Sequence, residues 1–205
     1  MAFNPDIDFK LIKPGDIVNY GPLDAIGYVL AYCGKYCHTS AIIKVDYGNK
    51  VIWIIESHLD TGVVIKVLNP KWYQSIDIRR VDMTNNQLSL FISALHLRLG
   101  WKYGLADFRP TIRGLLLSHF GVNIRNNPAW GNDPCKVYCT ELIGESMATG
   151  AKLELVRNVH HSQLIPSDVG WSGTNARLID GMDYEPPKLD KPAIYTPIAD
   201  NYNYA

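Results

Sequence analysis

HTSAIIKVDYGNKVIWIIES, residues 38–57, decides how the chain is read. TSAIIKVD (39–46) and KVIWIIES (50–57) are rich in β-branched residues, and Gly48-Asn49 between them is a turn signal. The pair reads as a β-hairpin. His38 opens its first strand, and Glu56 stands at the end of an apolar run in its second. The first residue of one hairpin strand lies near the last of the next, so an imidazole and a carboxylate meet at one end of the ladder. Register tests this. A strict two-residue turn pairs 47 with 50 and 41 with 56, which puts His38 and Glu56 on opposite faces, because side chains alternate with a period of two. A three- or five-residue connection, or a bulge, restores a common face, and one of these is expected.

Further strands follow on both sides. DIVNY (16–20) is a short one, GVVIKVL (62–68) continues the meander, and SIDIRRVD (75–82) alternates as a strand does. The periodicity then changes. Leu88, Phe91, Ile92, Leu95 and Leu99 recur at helical spacing within 85–100, and Gly100 follows as a stop. Residues 22–33 and 110–120 are shorter helix candidates, each with a proline in its first turn. A loop over 121–135 leads into a helix over 138–149 that closes at Gly150. From 183 the chain is proline-rich and polar and reads as an extended arm. The sum is an α+β fold, an antiparallel sheet packed against helices, with a domain over 1–182 and an arm over 183–205.

Composition excludes several classes. The 205 residues are 47% hydrophobic and 20% charged with zero formal net charge, which describes a globular chain without the basic excess of a nucleic-acid binder. No apolar run reaches the roughly eighteen residues of a transmembrane segment. The start MAFNPDIDFK lacks a signal-peptide layout, so a cytoplasmic location is expected, with virion assembly or export by another route left open.

KVYCTELIGESM (136–147) places Cys139 where an amphipathic helix begins. Helix N-terminal amides favour a thiolate and can also stabilise an oxyanion. A nucleophilic thiol requires a base and a group that orients the base. Among the histidines, His96 falls on the solvent face of its helix, His119 ends an apolar helix, and His160 and His161 lie in a loop. His38, at a strand mouth and near Glu56, fits the base best. Other readings stand beside this one. Cys139 can be a buried, inert thiol, and Cys33, Cys37, Cys135 and Cys139 form two C-x3-C pairs compatible with a structural zinc site. The fold could also serve as a non-catalytic interaction protein, such as a phage component using its tail as an arm.

GDIV (15–18), HTSAII (38–43), IIES (54–57) and YCTEL (138–142), in that order, resemble the permuted branch of the NlpC-type papain-like hydrolases, the YiiX-like amidases. GWKYGLADF (100–108) resembles the branch's segment with a Tyr before an acidic and aromatic run, and IPSD (165–168) a late P-x-D motif. Thr140 and Ser57 depart from the commoner Ser and Ala, and the tail has no counterpart. The resemblance covers roughly 14–170 and implies a circularly permuted papain-like domain. It implies Cys139 as nucleophile, His38 as base and acid, and Glu56 as orienting group. Tyr103 matches a family tyrosine and is either a hydrogen-bond donor in the cleft or a packed aromatic. Asp168 reads as a local cap beside Pro166. The implied reaction is hydrolysis of an amide through a thioester, without a cofactor, on a peptide, cell-wall or acyl-amide substrate. A lipid hydrolase or acyltransferase is the alternative. Leu115, Leu116 and Leu117 could then line an acyl pocket, although core is the simpler role. The arm could bind a protein partner.

Overall fold

The computed structural model describes residues 9–22, 36–69, 76–104, 135–156, 159–170 and 176–184. The expected helices at 22–33 and 110–120, the 121–134 loop, Cys33, His119 and the arm beyond 184 lie outside the described residues.

Six antiparallel strands form the sheet: β1 (Ile17–Tyr20), β2 (His38–Asp46), β3 (Val51–His58), β4 (Gly62–Val67), β5 (Ile76–Val81) and β8 (Ala176–Tyr184), in the order β4-β3-β2-β1-β5-β8. The short β1 sits inside the sheet, and all four of its residues are buried. Alternation therefore splits it between two apolar layers. Ile17 joins Ala41, Ile55 and Val63 on one layer, and Val18 and Tyr20 join Ile42, Ile54 and Ile78 on the other. The first layer is closed by helix α1 (Asn85–His96), through Phe91 and Leu95, and helix α2 (Cys139–Ser146), through Leu142 and Ile143. Ile12 and Leu68 belong to the second. The mixed architecture agrees with the α+β expectation.

The hairpin has an irregular ladder. Asp46 pairs with Val51 across a four-residue turn in which Lys50 is left-handed (φ 54°). Lys44 lies opposite Trp53, yet Ile42 lies opposite Ile54. Ile43 is thus an extra residue in β2, a β-bulge. The bulge slips the pairing by one position, which moves His38 onto the face that carries Glu56. Without it, the alternation would hold the two side chains apart.

Helix α1 starts with a capping box. Thr84 Oγ1 accepts from Gln87 N at 3.2 Å, and Gln87 Oε1 accepts from Thr84 N at 3.0 Å. The helix ends at His96, three residues earlier than the periodicity predicts, and Leu99 is exposed. The chain must turn there to reach the sheet: Gly100 N donates to Val63 O at 3.0 Å and Val63 N to Trp101 O at 2.8 Å. Gly100, at φ 80°, takes a conformation that suits glycine.

Gly150 does not close the cysteine helix. After Ser146 the chain widens into a π-helical turn (Met147–Ala151), and left-handed Lys152 (φ 59°) ends it. Gly150 instead lets the backbones approach: a Cβ there would stand 2.6 Å from Leu90 O of α1. The last helix, α3 (Pro166–Gly170), is short, and Asp168 does cap it, its Oδ2 accepting from Ile165 N at 2.8 Å. Strand β8 has no counterpart in the sequence reading. It covers the edge of β5 and runs through Tyr184, past the expected boundary at 182.

Candidate active site

Two short strands bring the cysteine to the sheet. β6 (Lys102–Tyr103) pairs in parallel with β7 (Lys136–Val137), setting Tyr103 opposite Val137. Ser57 Oγ, buried on β3, donates to Val137 O at 2.6 Å. This fastens β7 to the sheet end that holds Glu56. Cys139 follows two residues later as the first residue of α2, with the carboxylate of Glu141 accepting from Tyr138 N at 3.4 Å. Tyr138 is buried and donates from its hydroxyl to Ser162 O at 2.9 Å. The helix start is therefore held from both sides.

His38, Glu56 and Cys139 come together there. His38 Nε2 lies 3.0 Å from Glu56 Oε2. The imidazole also lies beside the Cys139 thiol, close enough for each to shift the other's charge. With Nε2 held by the carboxylate, Nδ1 is the ring nitrogen left for sulfur. The Tyr20 ring packs against the imidazole, with centroids 5.4 Å apart, and its hydroxyl meets Ser40 Oγ at 2.5 Å. Thr140 Oγ1 lies 3.7 Å from Cys139 Sγ, and the Thr39 backbone also lowers the thiol.

Charge follows from this geometry. Burial alone would push the Cys139 thiol up, but the His38 charge, its hydrogen bond and the donors from Thr140 and Thr39 hold the thiol below its ordinary value. Burial would push the imidazole down. The Glu56 carboxylate and the Cys139 sulfur reverse this and raise His38 to about 10. Glu56 is fully buried, which disfavours its charge, yet His38 and then Lys66 lower it to about 2. These shifts favour a thiolate–imidazolium pair beside an ionised carboxylate.

Tyr103 stands beside this group. Burial, then the negative charge of Cys139 and of Cys37, push its hydroxyl well above the ordinary tyrosine range. It remains a neutral phenol, which is the form that can donate a hydrogen bond. All four expected site residues therefore gather at one place, although they come from β2, β3, β6 and α2. Of the other described histidines, His96 is exposed, His160 bonds Ser162 at 2.8 Å and stacks on His161, and His58, beside Asp60, shares the sheet face of Glu56 and feels its charge.

Three contributors were not anticipated from the sequence. Lys66 on β4 places Nζ 2.5 Å from Glu56 Oε1, a partly buried ion pair. It is a cation within the apolar strand GVVIKV, a signal that strand alternation could have used. Ser57 was read only as a departure from a motif, and its role appears once Val137 is seen against it. Tyr20 has no motif at all. Among the described residues no three His, Cys, Asp or Glu side chains form a cluster fit for a metal ion. Of the zinc set, Cys135 is exposed, Cys37 half-buried and Cys139 buried.

The fold and site define an α+β protein whose antiparallel sheet and one helix N-terminus hold a Cys-His-Glu group. Among solved structures it is similar to metalloprotein yiiX from Escherichia coli O157:H7, with 13% identity over 82% of this chain and 96% of that one, and a TM-score of 0.54. At that identity the likeness is one of fold. A scan of family models finds no match, and no curated protein matches. No helix among the described residues is long and apolar enough to cross a membrane.

Proposed function

We propose that the chain is a cysteine hydrolase of the permuted papain-like type that cleaves an amide through a thioester. The observation that carries this reading is His38, bonded to Glu56 Oε2 at 3.0 Å and set beside a thiol at a helix start. A structural cysteine has no need of a buried carboxylate behind its histidine.

The chemistry follows from the positions. The Cys139 thiolate attacks the substrate carbonyl carbon, and the oxygen takes the negative charge. The amides at the start of α2 can serve as donors to that oxygen. His38 gives its proton to the leaving nitrogen, the C–N bond breaks, and a thioester and a free amine result. Neutral His38 then takes a proton from water. The hydroxide attacks the thioester, the acid departs, and Cys139 returns as thiolate beside protonated His38. Glu56 keeps the ring oriented and supports its charge. Tyr103, a neutral donor next to the sulfur, is placed to hydrogen-bond the substrate or the developing oxyanion. No step requires a cofactor.

Small peptides and peptidoglycan fragments are the first substrates to try, with acyl amides and esters next. The test is release of amine from each, by wild type and by Cys139→Ser, with alkylation of each cysteine against pH and metal content measured on the same preparation. Fast, selective Cys139 alkylation below neutral pH, with amine release lost in Cys139→Ser, supports the hydrolase. Slow alkylation of all cysteines together with bound zinc would sink it in favour of a structural metal. A slow Cys139 without metal would indicate a binding protein on this scaffold. Turnover restricted to lipid esters or amides would move the reading to an acyl-handling enzyme.

A further inference from the structure

Lys66 is placed by the sheet as deliberately as His38. On the β3–β4 ladder Ile54 lies opposite Lys66 and Glu56 opposite Val64. Lys66 is therefore the diagonal neighbour of Glu56 on the same face, within reach of a long side chain. The bulge at Ile43 puts His38 on that face from the other side. His38, Glu56 and Lys66 form one diagonal row across β2, β3 and β4, with the carboxylate in the middle. Each carboxylate oxygen has its own cation: Oε2 faces His38 at 3.0 Å and Oε1 faces Lys66 at 2.5 Å.

Charge counting shows what the second cation does. At rest, thiolate, imidazolium, carboxylate and ammonium sum to zero. In the thioester intermediate the sulfur is neutral and His38 has given up its proton. Glu56 would then be a fully buried anion with no counter-charge, except that Lys66 remains. The sum is again zero. Without Lys66 the site carries one excess negative charge at both stages, and a buried negative charge makes every neighbouring base hold its proton more tightly.

We propose that Lys66 is a positioning residue that keeps Glu56 ionised and free of the His38 proton during thioester hydrolysis, when His38 must act as a neutral base. This rests on the hydrolase reading. The groups facing the pair are Cys139 from α2, His38 from β2, Lys66 from β4 and His58 from β3 itself. Tyr103 from β6 faces the sulfur. Lys66 is the cation among them that no step of the mechanism titrates.

The test compares wild type, Lys66→Met and Lys66→Arg by two readouts. The first is the lifetime of the acyl-enzyme formed with p-nitrophenyl acetate, followed by mass spectrometry from pH 5 to 10. The second is iodoacetamide alkylation of Cys139 over the same range, which needs no turnover. In Lys66→Met the deacylation midpoint is expected to rise by about one pH unit, with an acyl-enzyme about tenfold longer-lived on the acid limb. The alkylation midpoint is expected to move up as well, and Lys66→Arg to restore both. Loss of packing alone would lower the rates without moving the midpoints. Unmoved midpoints in Lys66→Met, or no rescue by arginine, overturn the proposal. If wild type is never acylated but its alkylation midpoint still depends on Lys66, the hydrolase reading fails and the coupling of Lys66 to the thiolate stands. Should Lys66→Met fail to fold, Lys66→Gln keeps the length and a donor without the charge and is read in the same way.

Discussion

His38 and Glu56 lie on adjacent strands, and their 3.0 Å contact depends on Ile43, which stands between them and touches neither in the ladder. The bulge is the device that brings an imidazole and a carboxylate of this hairpin onto one face. It leaves the rest of the hairpin regular, so the site adds little irregularity to the sheet.

Glu56→Gln keeps the shape of that contact and removes its charge. The imidazole then loses the anion that holds it near 10, and burial lowers it. His38 is expected to titrate about one to three pH units lower, since an adjacent opposite charge shifts a pKa by that much. Imidazole NMR against pH reads the shift, circular dichroism melting checks that the fold survives, and an unmoved His38 titration would deny Glu56 its role.

His38→Ala removes both the charge and the hydrogen bond that lower the Cys139 thiol, leaving burial to act alone. The alkylation midpoint of Cys139 is expected to rise above that of an ordinary thiol, while exposed Cys135 keeps its own rate as an internal control. Mass spectrometry on the tryptic peptides separates the two.

Stability should depend on pH in a definite way. His38 is raised from 6.5 to about 10, so its contribution is complete below 6.5 and is lost as pH rises through about 10. Glu56 is lowered from 4.5 to about 2, so its contribution is complete above 4.5 and is lost as pH falls toward 2. The urea midpoint is expected to be highest between these limits and to fall on both sides. Glu56→Gln should flatten the alkaline fall, because the shifted imidazole is then absent.

Gly62 opens β4 at φ 71°, and a Cβ there would collide with the Trp101 carbonyl that accepts from Val63 N. Gly62→Ala is expected to cost about 2 kcal/mol or more, from the left-handed backbone and the clash together. Because Trp101 leads directly into β6, the same change should loosen Tyr103. Denaturant unfolding measures the first effect, and intrinsic tyrosine titration the second.

Ser57→Ala leaves the Val137 carbonyl buried without its 2.6 Å donor. A loss of about 1–3 kcal/mol is expected from an unsatisfied buried acceptor. Slower Cys139 alkylation should accompany it, since β7 delivers Cys139 to the sheet. A stability loss with unchanged alkylation would confine Ser57 to packing.

Much of this protein is legible in the chain itself, because strand alternation, turn residues and helix periodicity are local properties. Five of the strands lie within a residue or so of where HTSAIIKVD, VIWIIES and their neighbours place them. The cysteine at a helix start, the histidine at a strand mouth and the acid at a strand end are also local patterns. What tertiary structure decided is everything that depends on distant partners. The bulge at Ile43 has no turn residue to announce it. Strand β8 borrows its order from the edge of β5. Helix α1 stops at His96 because β4 draws the chain away, and Gly150 serves a neighbouring helix rather than its own. Lys66 looks like a surface lysine until the diagonal of the sheet sets it against Glu56. Local sequence determines the alternation within each strand. Only the assembled sheet determines which faces, drawn from strands far apart in the chain, close around one buried charge.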